Sequence, residues 1–345
     1  MTIRIFITAM NGQKGICLFG ITEMRYTLLK EGGLLDHAYS IKSSMAMKNL
    51  PEIESVTKND ILKDPDFFKR IFYETSVVGF RGINLNSDEF SEVVSALGFT
   101  GDLRKNEDFK PRFESMWGGV GTGGEVPQAG EFYYSGSDKP TRQTFMFWHQ
   151  EDLHKEHLMR VKSINMHTYT APPTTGALGF VDMHQAYLDL PDGWGKELHD
   201  ARKLEAQVGW LPEGFFQHPH HIVKDHWRDG YEVFMAQGFN DDCEPPYFWD
   251  MDTVGSFTED SIKQVNEWVF NYQVNPDNQI WWDWEQGDLL IFDAQRFSIA
   301  WSAGFGLGEL VFDSIPFNGG YTNQDMDTAF TVKPYVVPKG HNYHG

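Results

Sequence analysis

The chain has 345 residues and a formal net charge of −20, with 49 acidic residues against 29 basic ones. A surface of this sign repels nucleic acids and anionic lipids, so neither is expected as a partner. The aromatic fraction of 15% favours large sheets packed face to face, or a pocket lined by rings.

The cysteines and the amino-terminal stretch indicate the compartment. Cys17 and Cys243 are too few for a disulfide framework or a cysteine zinc site, and a reducing environment suits them. The amino-terminal stretch is mildly apolar but is interrupted by Arg4, Asn11 and Lys14, so it predicts neither a signal peptide nor a membrane span. We therefore expect a soluble cytoplasmic protein with no membrane partner.

Two helices and a strand are predicted in the first third of the chain. Asp64 precedes Pro65, which is typical of a helix start, and an apolar stripe at helical spacing follows. A short apolar strand is predicted at 76–80. Asn86, with Glu89 three residues later, predicts a capping box at the start of a second helix.

Short strands dominate the rest of the chain. Apolar runs separated by turn residues predict strands at Phe145–Trp148, Ser163–Tyr169, Tyr231–Met235, Leu289–Phe292 and Leu310–Ile315. Helices are predicted at Asp182–Leu190 and at about 260–272. This pattern indicates a mainly β protein with flanking helices, built as an antiparallel sandwich or jelly roll.

One segment carries a candidate metal site, formed by His149 and Glu151. Side chains alternate along a strand, so these two residues face the same side. They can supply two corners of the 2-His-1-carboxylate triad, which holds iron(II) and leaves positions open for a co-substrate and oxygen. Asp152 is an alternative carboxylate if the strand bulges. Taken alone the pattern is weak, because a surface histidine beside an acid is the commoner arrangement.

Five segments occur in an order that characterises one enzyme family. They are Val77-Val78-Gly79-Phe80-Arg81-Gly82, Trp148-His149-x-Glu151, Ala171–Gly176 with the later Ala186-Tyr187, His218-Pro219 with Asp229-Gly230, and Trp284–Asp293. In this order the chain resembles the taurine dioxygenase (TauD/TfdA) family over residues 59–320. Residues 1–58 are then an amino-terminal extension, and residues 321–345 are a carboxy-terminal tail.

The resemblance implies a double-stranded β-helix, or jelly roll, and an iron(II)- and 2-oxoglutarate-dependent dioxygenase. By that resemblance His149 and Glu151 would hold the iron, and no further catalytic residue is implied. The enzyme would convert 2-oxoglutarate to succinate and CO₂ while hydroxylating a C–H bond of a small-molecule substrate.

Three family positions carry unsuitable residues. The third iron ligand, a histidine six residues after Asp293, corresponds to Ile299, which cannot bind a metal. The arginine that holds the far carboxylate of 2-oxoglutarate falls near Asp313, and an acid there would repel the co-substrate. The threonine that assists this arginine corresponds to Leu178.

Other residues are candidate replacements for the missing groups. Arg296 could bind the co-substrate as an anion clamp, and Gln295 could act as a ligand. His341 or His344 could reach the site if the carboxy-terminal tail folds back, although an exposed polar tail is the simpler expectation.

Two further interpretations stay open. His154 and His157 could join His149 and Glu151 in a zinc or iron cluster, although the charged residues around them are typical of a solvated turn. The missing histidine and arginine also fit a protein of another class, a catalytically inactive binding protein that keeps the jelly roll.

Overall fold

The computed structural model describes residues 50–105, 142, 144, 148–151, 158–199, 221–235, 259–302, 305 and 309–318, together with the backbone of short strands outside these ranges. The helices are α1 (Lys58–Lys63), α2 (Pro65–Thr75), α3 (Ser87–Ala96), α4 (Met183–Leu188), α5 (Trp194–His199) and α6 (Glu259–Val274), and a 3-10 turn follows at Pro276–Asn278. The strands are β1 (Arg4–Thr8), β2 (Lys14–Gly20), β3 (Glu23–Arg25), β4 (Leu29–Lys30), β5 (Gly33–Leu34), β6 (Ser40–Lys42), β7 (Glu52–Ile53), β8 (Val77–Phe80), β9 (Arg104–Lys105), β10 (Val161–Tyr169), β11 (Leu178–Asp182), β12 (Arg202–Glu205), β13 (Phe216–Gln217), β14 (His220–His221), β15 (Val223–Asp225), β16 (Glu232–Phe234), β17 (Tyr247–Trp249), β18 (Gln279–Trp282), β19 (Leu289–Asp293), β20 (Phe297–Trp301), β21 (Leu310–Phe317) and β22 (Tyr335–Val336).

The predicted helix starts are confirmed by their caps. The Asp64 side chain accepts a hydrogen bond from the amide of Phe67 at 3.2 Å, and Pro65 occupies the first turn of α2. The capping box of α3 is complete, because Asn86 accepts from the Glu89 amide at 3.0 Å while the Glu89 side chain accepts from the Asn86 amide at 3.1 Å. These bonds satisfy amides that a helix leaves without partners at its first turn.

Two sheets form the body of the protein, as the jelly-roll prediction requires. The larger, called the major sheet, has the strand order β1-β2-β3-β6-β7-β8-β19-β10-β21-β9, and the smaller, called the minor sheet, has the order β18-β11-β20. Their pairs are antiparallel except for β7 with β8. An antiparallel bridge between His149 and Ile299 of β20 adds one more position to the minor sheet. The mainly β fold class is therefore confirmed.

The space between the two sheets, called the interior, is filled by alternate residues of both. Ile164 and Met166 of β10 share one apolar core with Leu178 and Phe180 of β11. One edge of this core is a stack of three nearly parallel rings. Trp284 and Trp301 have centroids 6.0 Å apart, and Trp301 and Phe312 have centroids 5.3 Å apart, with ring planes 12° apart in each pair.

Helices cover the outer face of each sheet. Residues of α2 and α3 pack on Leu289 and Ile291 of the major sheet. Val265 and Val269 of α6 pack with Val181 and Ala300 on the outer face of the minor sheet. Both faces of the major sheet are covered at β8 and β19, so the sequences of these two strands are almost continuously apolar.

The motif residues Arg81 and Asp288 join β8 to the turn before β19. Asp288 accepts from the amides of Gly82 and Glu285 at 3.0 and 2.9 Å, and from Arg81 at 2.6 Å. Burial raises the pKa of the Asp288 carboxyl even though Arg81 and the two amides favour its charged form. The guanidinium of Arg81 also lies 3.6 Å from the ring centroid of Trp282. These family motif positions therefore stabilise the fold.

Some features of the fold have no counterpart in the sequence pattern. Strands β1, β2, β3 and β6 extend the major sheet beyond β7, whereas residues 1–58 show only weak periodicity. The division of the chain at residues 58 and 320 stays a prediction. In the predicted strand Phe145–Trp148, only Trp148 lies among the described residues. No helix within the described ranges is both long and apolar enough to cross a membrane.

Candidate active site

His149 faces the interior of the jelly roll. Its amide donates to the carbonyl of Ile299 at 2.9 Å, and the Ile299 amide donates back at 2.7 Å. Directly opposed residues of an antiparallel pair place their side chains on the same face, and Ile299 belongs to the interior core. The side chain of the neighbouring Trp148 faces the other way and packs against Trp281, with the two ring centroids 5.5 Å apart. His149 itself is 4% exposed.

Ile299, the residue at which the third metal ligand is expected from the sequence, lies beside His149. Its side chain is fully buried and packs among the interior residues. An alkyl group has no lone pair to offer a metal, so this place contributes packing alone. The position six residues after Asp293 in the sequence is therefore adjacent in space to His149.

Glu151 is held by a lysine that the sequence interpretation missed. Lys162 of β10 contacts the Glu151 carboxylate through its ammonium group, and the two side chains are 18% and 14% exposed. Lys162 stands on the same face of β10 as Ile164 and Met166, which face the interior. A lysine in register with apolar residues of a buried strand is the signal that could have identified it. Asp152, the alternative carboxylate, lies outside the described residues.

Asp313 does not face the interior, which corrects the expectation that it repels a co-substrate there. It stands opposite Asn165, whose side-chain amide donates to the carbonyl of Leu85 at 3.0 Å, and Leu85 belongs to the helix-covered core. The Nε2 atom of His167 lies 2.8 Å from the Asp313 carboxylate. Alternate residues of a strand face opposite sides of the sheet. Asp313 therefore faces the helix-covered core, whereas the next residue, Ser314, faces the interior.

The positions of β21 that do face the interior carry no cation. They are Leu310, Phe312, Ser314 and Pro316, which alternate with Val311, Asp313 and Ile315 along the strand. Leu178 also faces the interior, opposite Trp282 and Trp301. On β11 and β21, the region where the family clamp is expected thus lacks the threonine and the arginine that hold the charged end of 2-oxoglutarate in the family.

The predicted replacements Arg296 and Gln295 are engaged elsewhere. The Arg296 guanidinium donates to Asp182 at 2.6 and 3.1 Å and to Ser76 at 3.1 Å. Burial opposes its charge, but the bonds to Asp182 raise the pKa of Arg296 above its usual value. The Gln295 carboxamide accepts from the Trp227 amide at 2.9 Å and donates to a backbone carbonyl at 3.2 Å. His341, His344, His154 and His157 lie outside the described residues.

A buried histidine–aspartate pair lies at the turn between β19 and β20. Asp293 accepts from His226 Nε2 at 2.7 Å and from Trp227 Nε1 at 3.1 Å. It also accepts from the amides of Gln295 and Arg296 at 3.1 and 3.0 Å. The amide of Asp229 donates to His226 Nδ1 at 3.2 Å, which places the proton of a neutral imidazole on Nε2. Both side chains of the pair are fully buried, so it holds the turn and has no access to a substrate.

The described residues do not fit an iron(II) and 2-oxoglutarate site of the family type. Nowhere in the part of the chain that the structure describes do three histidine, cysteine, aspartate or glutamate side chains come together around a place for a metal ion. The triad needs three protein ligands, whereas the structure offers His149 and a Glu151 that is already paired with Lys162.

Comparisons with known proteins agree with the fold. Residues 51–297 match the model of the "Taurine catabolism dioxygenase TauD, TfdA family". A taurine dioxygenase from Burkholderia xenovorans is 13% identical, with 85% of this chain and 99% of that chain covered and a TM-score of 0.55. PvcB from Pseudomonas aeruginosa is 12% identical, with 83% and 94% covered and a TM-score of 0.54.

A third solved structure contains bound groups. AAD-2 in complex with Mn(II) and N-oxalylglycine is 11% identical, with 83% of this chain and 99% of that chain covered and a TM-score of 0.56. At these identities the likeness establishes the fold. No curated protein matches the chain significantly.

Proposed function

This chain belongs to the TauD/TfdA family, and from that premise we propose that it binds a small molecule in its jelly roll without iron-dependent oxidation of that molecule. The general class of the family is the iron- and α-ketoglutarate-dependent oxygenases, of which PvcB is a solved example. We propose that the chain has the fold of this class and binds a small molecule as its members do, but does not oxidise it.

The pairing of His149 with Ile299 carries the proposal. Reciprocal hydrogen bonds at 2.9 and 2.7 Å fix the two residues side by side, so the position nearest to His149 on β20 holds an alkyl group. Disturbing the partners of metal ligands already weakens metal binding by about 10- to 100-fold, and losing a ligand outright weakens it further. Leu178 and the interior face of β21 also lack the threonine and the arginine with which the family holds 2-oxoglutarate.

The ion pair of Lys162 with Glu151 supports a binding role. Two charges held between apolar sheets lose hydration, and such pairs contribute little to stability. Their side chains are 18% and 14% exposed, so neither group is sealed in the core, and we expect a ligand to reach them. A polar site of this kind in an apolar core is typical of small-molecule sites.

A second candidate function is an iron(II)-dependent dioxygenase that hydroxylates a small molecule. It is favoured by the backbone pairing that turns His149 into the interior, with Glu151 on the same side two residues later. This function requires a third ligand, such as His341 or His344, from outside the described residues, and displacement of Lys162 from Glu151.

One experiment separates the two functions. The purified chain is mixed with iron(II) and 2-oxoglutarate without oxygen, the visible charge-transfer band of chelated 2-oxoglutarate is recorded, and succinate is measured after air is admitted. We expect neither the band nor succinate, and PvcB, an Fe, α-ketoglutarate dependent oxygenase, serves as the positive control. A band with succinate, both lost in His149→Ala, would reject the proposal and establish the dioxygenase.

A further inference from the structure

Two basic residues flank β21 on its interior face. Arg104 of β9 pairs with Ser314 on one side of β21, and Lys162 of β10 pairs with Pro316 on the other side. Ser314 also stands opposite Ile164, an interior residue. Because directly opposed residues share a face, Arg104 lies on the interior face as well.

The spacing lets both side chains reach one small ligand. Adjacent strands lie about 4.8 Å apart and each residue rises about 3.4 Å, so the Cα atoms of Arg104 and Lys162 are roughly 12 Å apart across β21. Both side chains are long and flexible, and the hydroxyl of Ser314 stands between their strands. An arginine, a lysine and a hydroxyl together form a set of hydrogen-bond donors suited to a carboxylate.

The local charge favours an anion. Lys162 is neutralised by Glu151 but keeps two further N–H donors, since an ammonium group has three. Arg104 is partly buried, and within the described ranges its guanidinium has no ion pair or hydrogen bond. The sum over Arg104, Lys162 and Glu151 is one positive charge, on a chain whose net charge is −20.

We propose that Arg104 and Lys162, with Ser314 between them, bind the acidic group of a small organic anion in the interior. The inference rests on the proposed function and specifies its ligand class. The cation that the family places on β21 is replaced here by cations on the two neighbouring strands. Glu151 competes with the ligand for Lys162 and so limits its affinity.

Succinate, a small dicarboxylate, is the probe for this site. Its binding to the metal-free chain is measured by calorimetry in EDTA, next to its neutral dimethyl ester. Charge-assisted hydrogen bonds contribute enough that Arg104→Met or Lys162→Met should weaken succinate binding by about tenfold or more. Glu151→Gln should strengthen it, because the competing carboxylate is removed. Lys58→Met, which removes the same charge from α1 where it pairs with Glu89 and Glu92, should leave binding unchanged.

The outcomes distinguish this inference from the proposed function. Equal binding of succinate and its ester, or equal losses in Arg104→Met and Lys58→Met, would overturn the anion site and leave the absence of turnover intact. Succinate or 2-oxoglutarate that binds only when iron(II) is added would overturn the proposed function itself. If Lys162→Met does not fold by circular dichroism, Glu151→Gln and Arg104→Met still decide, since their expected effects have opposite signs.

Discussion

Replacing Ile299 by histidine tests whether the interior lacks only one ligand. Ile299 is fully buried and is hydrogen-bonded in both directions to His149. In such a pair the Cα atoms lie about 5.5 Å apart, so the imidazole introduced by Ile299→His would stand beside that of His149. Loss of the buried alkyl group costs about 2–3 kcal/mol, and burial of an unsatisfied polar ring adds about 1–3 kcal/mol. Without metal we therefore expect the free energy of unfolding to fall by about 3–6 kcal/mol.

Added manganese should return part of this stability. A metal ion at one hundred times its dissociation constant stabilises the folded state by about 2.7 kcal/mol. Urea unfolding of Ile299→His, with manganese chloride or with EDTA, measures the gain. Ile299→Asn is the matched control, because it introduces a polar group without an imidazole and should show the loss but no gain. Equal responses of the two variants to manganese would refute the geometric reasoning.

Three further changes test the fold and its pH dependence. Asp293→Ala removes the acceptor of four N–H groups, including that of His226. It should lower the free energy of unfolding, measured in urea, by about 3–5 kcal/mol. A loss under about 1 kcal/mol would show that the turn is stable without this carboxylate. Gly79→Ala places a methyl group against the ring of Trp282 and should cost about 1–3 kcal/mol in the same assay, whereas an unchanged midpoint would mean that the ring moves freely. Burial raises the pKa of Tyr231 from 10.0 to about 12, so between these values the unfolded chain loses a proton that the folded chain keeps, and stability falls as pH rises. Tyr231→Phe should fall less steeply over this window, and equal slopes would contradict the assignment.

Much of the fold follows from local sequence. The caps at Asp64 and Asn86 set the starts of two helices because side-chain oxygens there accept amides of the first turn. The alternation around His149 predicts that Glu151 shares its face, since a strand repeats every two residues; the structure gives an antiparallel bridge at His149, and the shared face stays a prediction. The order of the motifs indicates the family because many of their residues, such as Asp288 and Asp293, hold turns that the fold requires.

The residues that we propose to bind the anion are harder to predict from sequence because their positions depend on register. A shift of one residue moves a side chain to the opposite face of a sheet, and Asp313 therefore faces away from the interior although its neighbour Ser314 faces it. The irregularity of β10 between Met166 and Thr168 is a local shift that no alternation rule indicates. Arg104 lies in a strand of two residues, which is too short to show a period. Lys162 contacts Glu151, which lies in a turn, and no local pattern indicates this pair.

The ring stack of Trp284, Trp301 and Phe312 gives the protein an optical reporter of its own. Rings held 12° from parallel at 5.3 and 6.0 Å sit in a fixed asymmetric setting, so they produce near-ultraviolet circular dichroism and tryptophan emission that depend on their mutual orientation. Phe312 lies on β21 two residues before Ser314, on the same face of the sheet. Binding of a ligand beside β21 should therefore change the near-ultraviolet circular dichroism and the tryptophan emission, and no added dye is needed to detect it.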